Sequence, residues 1–223
     1  MRSLDDLANE PRCERCARPA RACVCDRLPA EPLASPLEIV ILQHPREDDV
    51  VLGTAPLVAR ALAKAHVRVG LSWPSLEAAV GREGIDRARW AVLFATKEEG
   101  EAAKIAPAPG TVRVLDRKGA PCDPTTLEGL VVLDGTWSQA KTLWWRNPWL
   151  LKLARVGLAP REASMYGKLR KEPRREWVST LEAIGDVLPA LGPPAERERL
   201  EASRTELRRL MRTMLQRVRD ALV

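Results

Sequence analysis

The sequence lacks the features that would place it in a membrane or in the secretory pathway. No run of about 18 consecutive apolar residues occurs, so no membrane span is predicted. The chain begins Met1-Arg2-Ser3-Leu4-Asp5-Asp6, with acidic residues where a secretory signal peptide needs an apolar core. We therefore expect a cytoplasmic protein with no membrane partner.

Glycine-rich phosphate loops are also missing. No Walker pattern and no G-x-G-x-x-G follows a predicted strand, which excludes those two kinds of nucleotide site. A nucleoside ligand would instead be held by loops at strand ends. Aromatic residues are few, with one Tyr, one Phe and seven Trp. Four of the Trp lie within residues 137–149, so this stretch is expected to be a packing centre, a stacking surface, or both.

Cysteine is scarce except in one cluster, which argues against a disulfide framework. Four of the five cysteines lie within thirteen residues, as Cys13-x-x-Cys16 and Cys23-x-Cys25. Four thiolates so close in sequence can complete a tetrahedral site, so we predict structural Zn²⁺ rather than a catalytic ion, which would need an open position. A cluster of reduced thiols without metal and an iron–sulfur cluster are the alternatives. Cys122 lies alone in a proline-rich turn and is expected to be incidental.

The chain is long enough for one sizeable core and a small appendage. Residues 26–36 contain three prolines and no periodicity, which is typical of a linker. We therefore predict a cysteine-rich zinc-binding segment with its linker over residues 1–36. The main domain, with a C-terminal basic helix, is predicted over residues 37–223.

Apolar runs alternate with helical patterns along that domain. Strands are predicted at 37–42, 67–71, 90–94, 111–115 and 130–133, with one more short strand at 156–158. A helix beginning at Thr54 and a short one at 76–80 separate the first three strands. This pattern predicts an α/β fold with a mostly parallel sheet flanked by helices. Leu and Met at helical spacing over 195–222 predict a last helix packed on the domain, with dimerisation through this stripe as the alternative.

Polar residues follow two of these strands directly. After the strand at 130–133, Asp134-Gly135 forms a turn and Thr136 caps a helix that ends at Asn147-Pro148. Strand 37–42 leads into Gln43, His44 and Arg46. The carboxyl ends of parallel strands are where α/β sheets bind ligands. Asp134 is therefore either a ligand-site carboxylate or only a helix cap, and His44 is either a general base or a residue held by local hydrogen bonds.

Positive charge is concentrated after this helix. The net charge is +6, and residues 152–177 contain eight basic and three acidic residues, a local excess of +5. This is the pattern expected for contacts with RNA phosphates, although a solvated charged surface is the alternative. The predicted RNA-binding residues of this segment are Lys168, Arg170, Lys171, Arg174 and Arg175. Arg46 is suited to grip a phosphate or carboxylate in bidentate fashion.

Four motifs resemble those of the DTW-domain family, in the family's order. They are the cysteines from Cys13 to Cys25, Gln43-His44-Pro45-Arg46-Glu47, Asp134-Gly135-Thr136-Trp137 with Asn147-Pro148, and Ser179-Thr180-Leu181-Glu182-Ala183. The resemblance implies a tRNA-uridine aminocarboxypropyltransferase that uses S-adenosylmethionine, with a SPOUT-like fold and a C-terminal knot. It implies Asp134 as the base or base-positioner and RNA contacts by Gln43, His44 and Arg46. The cofactor contacts that it implies are Leu93, Ala95, Leu133, Thr136, Trp137, Ser179, Thr180 and Glu182.

The expected roles of Ser179 and Glu182 in cofactor binding have a physical basis. Ser179 followed by Glu182 resembles a helix start whose N–H groups could hold the methionine carboxylate of the cofactor, with Glu182 near its ammonium. The alternatives are an RNA methyltransferase that uses the same cofactor and a non-enzymatic zinc-containing RNA-binding module. No stable protein partner is predicted, and a monomer or a homodimer is expected.

Overall fold

The structure is a computed structural model that describes residues 2–47, 51–93, 108–170 and 178–223. These residues form one six-stranded sheet with helices packed on it. The strands are β1 (Glu38–Gln43), β2 (Ala65–Val69), β3 (Trp90–Leu93), β4 (Val112–Leu115), β5 (Gly129–Asp134) and β6 (Ala154–Leu158). Their order is β2-β1-β5-β3-β6-β4, with β4 antiparallel to β6 and the other pairs parallel. The predicted mostly parallel sheet is confirmed.

Helices cover both faces of this sheet. The α-helices are α1 (Leu4–Ala8), α2 (Ala55–Ala61), α3 (Leu76–Val80), α4 (Trp137–Arg146), α5 (Thr180–Leu191) and α6 (Arg197–Leu222). Short 3-10 turns lie at Ala20–Ala22, Cys25–Arg27, Arg87–Arg89, Pro124–Thr126, Pro148–Lys152 and Pro194–Glu196. The predicted start of α4 is confirmed, because the Thr136 hydroxyl accepts a hydrogen bond from the Gln139 N–H and the Gln139 side chain bonds back to the Thr136 N–H.

The predicted limits of the second strand lie two residues too late in the chain. The strand spans Ala65–Val69 rather than 67–71, so His66 lies inside the strand and not before it. Pairing with β1 sets its limits, since β1 aligns with residues 65–69 and the Gly70 N–H closes the ladder on the Gln43 carbonyl. Leu71 instead joins a turn, where its carbonyl accepts a hydrogen bond from the Asn147 amide.

Two apolar cores lie on opposite faces of the sheet. Alternate residues of β1 point to different cores, with Ile39 and Ile41 facing one and Val40 and Leu42 facing the other. The first core contains side chains of α2, α5 and α6, and the second contains side chains of α3, α4 and the turn after α4. Each fully buried Leu, Ile or Val contributes about 1.5–3 kcal/mol to stability. The two cores together fix β5 at the centre of the domain.

The cysteine-rich segment shares the first core. Its residues Leu7, Ala22 and Val24 are fully buried there together with α6 residues. The Met and Leu stripe of α6 is also inside this core, with Met211 and Met214 fully buried. The prediction that α6 packs on the domain is therefore confirmed. The domain boundary at residue 36 stays a prediction. Among the helices of the described ranges, none has the length and apolarity to span a bilayer.

Candidate active site and metal centre

Asp134 lies at the carboxyl end of β5, where the sheet opens into a pocket. Gln43, the last residue of β1, is paired with Asp134 across the two parallel strands. Its side-chain amide donates a hydrogen bond of 2.7 Å to Asp134 Oδ2, and the Thr180 hydroxyl donates to Asp134 Oδ1. The main-chain N–H of His44 donates to the Asp134 carbonyl at 3.1 Å. Two neighbouring strands and the start of α5 therefore fix this carboxylate.

Burial dominates the electrostatics of Asp134. The residue is only 8% exposed, and removal from water raises the pKa of its carboxyl above the ordinary value of 3.8. The hydrogen bonds from Thr180 and Gln43 and the positive charge of Arg170 act in the opposite direction, but burial prevails. A buried carboxylate that is oriented by hydrogen bonds can act as a general base.

The pocket beside Asp134 is small and mostly polar, with a volume of about 60 Å³. Its lining residues are Glu47, Gly53, Thr54, Asp134, Gly135, Tyr166, Arg170, Val178, Ser179 and Thr180. This volume suits the charged end of a ligand rather than a whole nucleoside. Asp134, Ser179, Thr180 and Arg170 were predicted as site residues. Glu47 was noticed only as part of a motif.

Two lining residues of the pocket form an ion pair. Arg170 Nη1 lies 3.3 Å from Glu47 Oε1, and the Arg170 guanidinium is 5.6 Å from the centroid of the Tyr166 ring. The Tyr166 hydroxyl donates to the Leu52 carbonyl at 2.8 Å. Arg170 was predicted to bind RNA, yet it points into the pocket, whereas Lys168 is exposed at the surface. The pocket thus contains both a positive and a negative group.

The start of α5 has the predicted capping box, but its polar groups are already engaged within the protein. The Glu182 carboxylate accepts hydrogen bonds from the Ser179 N–H and hydroxyl, the Ser164 hydroxyl and the Met165 N–H. The amides of Leu181 and Glu182 donate to the hydroxyls of Thr54 and Ser179. Glu182, only 1% exposed, therefore ties the loop that carries Tyr166 to the first turn of α5.

His44 is held by its local surroundings. It is 9% exposed, and its Nδ1 accepts a hydrogen bond of 3.1 Å from the Arg46 N–H, which leaves the proton of a neutral ring on Nε2. Burial and the charge of Arg46 lower the pKa of His44 below its ordinary value of 6.5, which favours the neutral ring. The Arg46 side chain is exposed.

The remaining predicted site residues fall in three groups. Leu93 is 8% exposed and Leu133 is half-buried at neighbouring strand ends. Thr136 and Trp137 lie at the exposed start of α4, where Trp137 is 43% exposed. Ala95, Lys171, Arg174 and Arg175 lie outside the described residues.

The four clustered cysteines are arranged as metal ligands. Their sulfur atoms all lie within 4.8 Å of one another, with 3.9 Å between Cys13 and Cys25 and 3.7 Å between Cys16 and Cys23. A tetrahedral ion with bonds of about 2.3 Å needs sulfurs about 3.8 Å apart, which these distances match. A hydrogen bond from the Cys16 N–H lowers the pKa of Cys13 to about 6, whereas burial raises that of Cys25 to about 12. The donor set and its geometry fit one metal ion.

Arg18 connects this cluster to the pocket wall. It lies between the two cysteine pairs and is 3% exposed, and its guanidinium donates to the Val51 carbonyl at 2.6 Å and to the Gly53 carbonyl. Its own carbonyl accepts a hydrogen bond of 2.7 Å from the Cys13 N–H. Gly53 lines the pocket, so the fold of the cysteine segment sets the position of that wall. No sequence signal distinguished Arg18 from its neighbouring arginines.

Replacing Arg18 by Leu should lower the free energy of unfolding by about 2–4 kcal/mol, because the buried Val51 carbonyl and the partly buried Gly53 carbonyl lose charge-assisted hydrogen bonds. Arg15→Leu is the matched control, since Arg15 lies in the same segment but is exposed. Its change should stay within about 0.5 kcal/mol. Urea denaturation measures both variants, and equal stabilities would contradict the role assigned to Arg18.

Comparisons with known proteins give the chain its family. A family model described as the DTW domain matches residues 10–219. A protein of Macaca fascicularis named tRNA-uridine aminocarboxypropyltransferase 2 is 31% identical over 195 residues, which cover 84% of this chain and 59% of that protein. The Drosophila melanogaster protein of the same name is 30% identical, with coverages of 85% and 70%.

A protein of Arabidopsis thaliana named tRNA-uridine aminocarboxypropyltransferase A is 30% identical, with coverages of 82% and 74%. The matches to the Macaca protein and to its Mus musculus counterpart each span 59% of the relative's length. No solved structure matches significantly. The family match extends over nearly the whole chain and includes both the cysteine cluster and the Asp134 pocket, and the chain therefore belongs to the DTW-domain family.

Proposed function

We propose that this protein is an enzyme that transfers the 3-amino-3-carboxypropyl group of S-adenosylmethionine to the N3 atom of a uridine in tRNA. The names of the relatives support an aminocarboxypropyl transfer and a tRNA uridine as the acceptor. The observation that carries the proposal is Asp134, a buried carboxylate oriented by Gln43 and Thr180 at the edge of a polar pocket.

In the proposed reaction Asp134 removes the proton from uridine N3. The nitrogen forms a bond to the carbon next to sulfur in the aminocarboxypropyl chain, and the bond between that carbon and sulfur breaks. Its electron pair neutralises the sulfonium, and methylthioadenosine leaves. Because a sulfonium is already a good leaving group, the protein has only to position the reactants and accept one proton.

The pocket can hold the amino-acid end of the donor. That end has one carboxylate and one ammonium, and the pocket presents the Arg170 guanidinium beside the Glu47 carboxylate. We propose that these two groups bind it, with Ser179 and Thr180 beside them. Glu182 then acts indirectly, by holding the Tyr166 loop in place. Leu93, Leu133, Thr136 and Trp137 remain the proposed contacts for the rest of the donor, together with Ala95.

The cysteine cluster is proposed to bind Zn²⁺ as a structural ion. Four thiolates complete a tetrahedral shell with no open position, which suits a structural rather than a catalytic site. Zinc would be bound by Cys13, Cys16, Cys23 and Cys25, and it would stabilise the segment that carries Arg18. Reduced thiols and a tRNA substrate are both consistent with the cytoplasm, where we propose that the protein acts.

Binding of tRNA is proposed to use the basic segment and the first strand end. Lys168 and Arg46 are both exposed, Lys168 two residues before the pocket residue Arg170 in sequence. Lys171, Arg174 and Arg175 would extend this surface. We further propose a SPOUT-like fold with a C-terminal knot, supported by the family resemblance.

The by-product of turnover tests the proposed reaction. Purified protein is incubated with S-adenosylmethionine and an unmodified tRNA transcript, and the small molecules are separated. Aminocarboxypropyl transfer releases methylthioadenosine. Release of adenosylhomocysteine would instead establish a methyltransferase, and S-adenosylmethionine that neither binds nor reacts would favour a non-enzymatic RNA-binding module.

Replacing Thr180 by Val should make activity more sensitive to acid. The Thr180 hydroxyl lowers the pKa of Asp134, so its loss raises that pKa further. Because the base must be ionised, the acidic limb of the kcat/KM profile should move to higher pH in the variant, with the deficit growing as pH falls. Thr180→Ser keeps the hydroxyl and should leave the limb in place. Identical limbs for the Val and Ser variants would contradict this coupling.

A further inference from the structure

The outer face of α4 exposes aromatic and basic side chains, of which the proposed reaction uses only Trp137. Trp145 is 69% exposed and Trp137 is 43% exposed, and Lys141 is exposed between them. The three residues are spaced by four, so they lie along one side of the helix. We call Trp137, Lys141 and Trp145 the α4 face. It begins two residues after Gly135 of the pocket lining and is about 12 Å long from Trp137 to Trp145.

We propose that the α4 face is a stacking platform for unpaired bases of the tRNA substrate that lie next to the target uridine. Exposed aromatic rings on a positively charged surface are the usual means of binding single-stranded nucleic acid. Trp145 would stack on a base, and Lys141 would contact a neighbouring phosphate. This inference rests on the proposed function, because it names the part of the same substrate that lies outside the pocket.

The charge of the surroundings favours RNA over a second copy of the chain. Residues 137–152 contain Lys141, Arg146 and Lys152 and no acidic residue. All three cations are exposed. In a symmetric dimer the same patch would face itself, which would bring these like charges together without carboxylates to pair with them. A phosphate backbone complements them.

Hydrogen bonds anchor the C-terminal end of α4 in the fold. Asn147, which is fully buried at the end of α4, donates from its amide to the carbonyls of Leu71 and Leu143 and accepts from the Trp73 N–H. The Trp149 ring N–H donates to the Trp73 carbonyl at 2.9 Å. Because the helix backbone is already held in place, stacking of a base on α4 requires little loss of backbone conformational entropy.

The test is the affinity of the full-length protein for an unmodified tRNA transcript at fixed salt, measured by fluorescence anisotropy. Trp145→Ala should weaken binding about fivefold or more, as expected for loss of one stacked base. Trp145→Phe should recover most of the affinity. Leu151→Ala is the control, because Leu151 is a 46% exposed aliphatic side chain on the next turn, and it should have no effect. Affinity for S-adenosylmethionine, measured by calorimetry, should be the same in all variants.

Two results would overturn the proposal. The first is an unchanged tRNA affinity for Trp145→Ala. The second is that light scattering shows a dimer for the wild type and a monomer for Trp145→Ala, with no change in tRNA affinity. That result would make the α4 face a contact between two copies of the chain. Failure of the proposed reaction looks different, since the wild-type protein would then yield no methylthioadenosine while tRNA binding still depended on Trp145.

Discussion

Replacing Asp134 by Asn is expected to lower kcat by about a hundredfold to ten-thousandfold, the range that a positioned general base contributes. Asn keeps the shape of the side chain and can still accept a hydrogen bond from Thr180. Gln43 can rotate its amide to accept from the new amide group. The variant therefore removes the proton acceptor without emptying the site, and its affinity for S-adenosylmethionine should change little.

The direction in which Asp134→Asn changes the free energy of unfolding follows from the pKa of Asp134. Burial raises the pKa of Asp134 above 3.8, so the folded state holds the proton more tightly than the unfolded state. Ionised Asp134 therefore lowers stability at pH values above its raised pKa. The free energy of unfolding of Asp134→Asn at pH 7 should equal or exceed that of the wild type, and the difference should vanish below pH 3.8. Denaturant titrations at both pH values measure it.

Asp220→Asn is the control for this substitution, because Asp220 is exposed on α6 far along the chain from the pocket. It should leave both kcat and stability unchanged. If Asp134→Asn retained more than about a tenth of wild-type kcat while remaining folded, Asp134 would not be the base, since general-base contributions begin near a hundredfold.

Loss of the metal is expected to have the second large effect. Cys16→Ser removes a buried ligand from the cluster and should reduce bound metal from one equivalent to near zero. The free energy of metal binding is part of the free energy of folding. For a chain of this size each kcal/mol corresponds to about 2–4 °C, so a loss of several kcal/mol lowers the midpoint of thermal unfolding by about 10 °C.

The cysteine-rich segment is bonded to the rest of the fold at two points, so loss of the metal should also disturb the pocket. Arg217 of α6 contacts Asp26 through two hydrogen bonds of 2.6 and 2.7 Å, and Arg18 holds the Gly53 carbonyl. Affinity for S-adenosylmethionine should therefore fall together with metal content. Cys122→Ser, at a cysteine outside the cluster, is the matched control and should keep the metal, the thermal midpoint and the affinity.

Elemental analysis gives the metal content and identity. Detection of iron together with visible absorbance would show that the site holds an iron–sulfur cluster and not zinc. A Cys16→Ser protein with wild-type thermal stability would show that the cluster does not contribute to folding.

Local signals in the sequence predicted the parts of the site that depend on short stretches. Thr136 and Ser179 both cap helices as predicted, since a capping residue acts within one turn. Asp134 was located because an apolar run ends there. The cysteine spacing was sufficient for the cluster, since all four ligands come from thirteen residues.

Long-range contacts were not accessible in this way. The pairing of Gln43 with Asp134 needs the strand order, which places β5 beside β1 although 91 residues separate the two side chains. Arg18, Glu47 and the internal role of Glu182 likewise depend on partners distant in sequence. The limits of β2 were wrong for the same reason, because pairing with β1 outweighs the local apolar pattern.

The most direct test of the account follows the atoms of the donor. S-adenosylmethionine is labelled with ¹³C either in the methyl group or in the aminocarboxypropyl chain, and each form is incubated with the protein and unmodified tRNA. The digested nucleosides are then analysed by mass spectrometry. If the proposed reaction is correct, the chain label enters a uridine and the methyl label leaves in methylthioadenosine. A methyl label found in the nucleoside would contradict it.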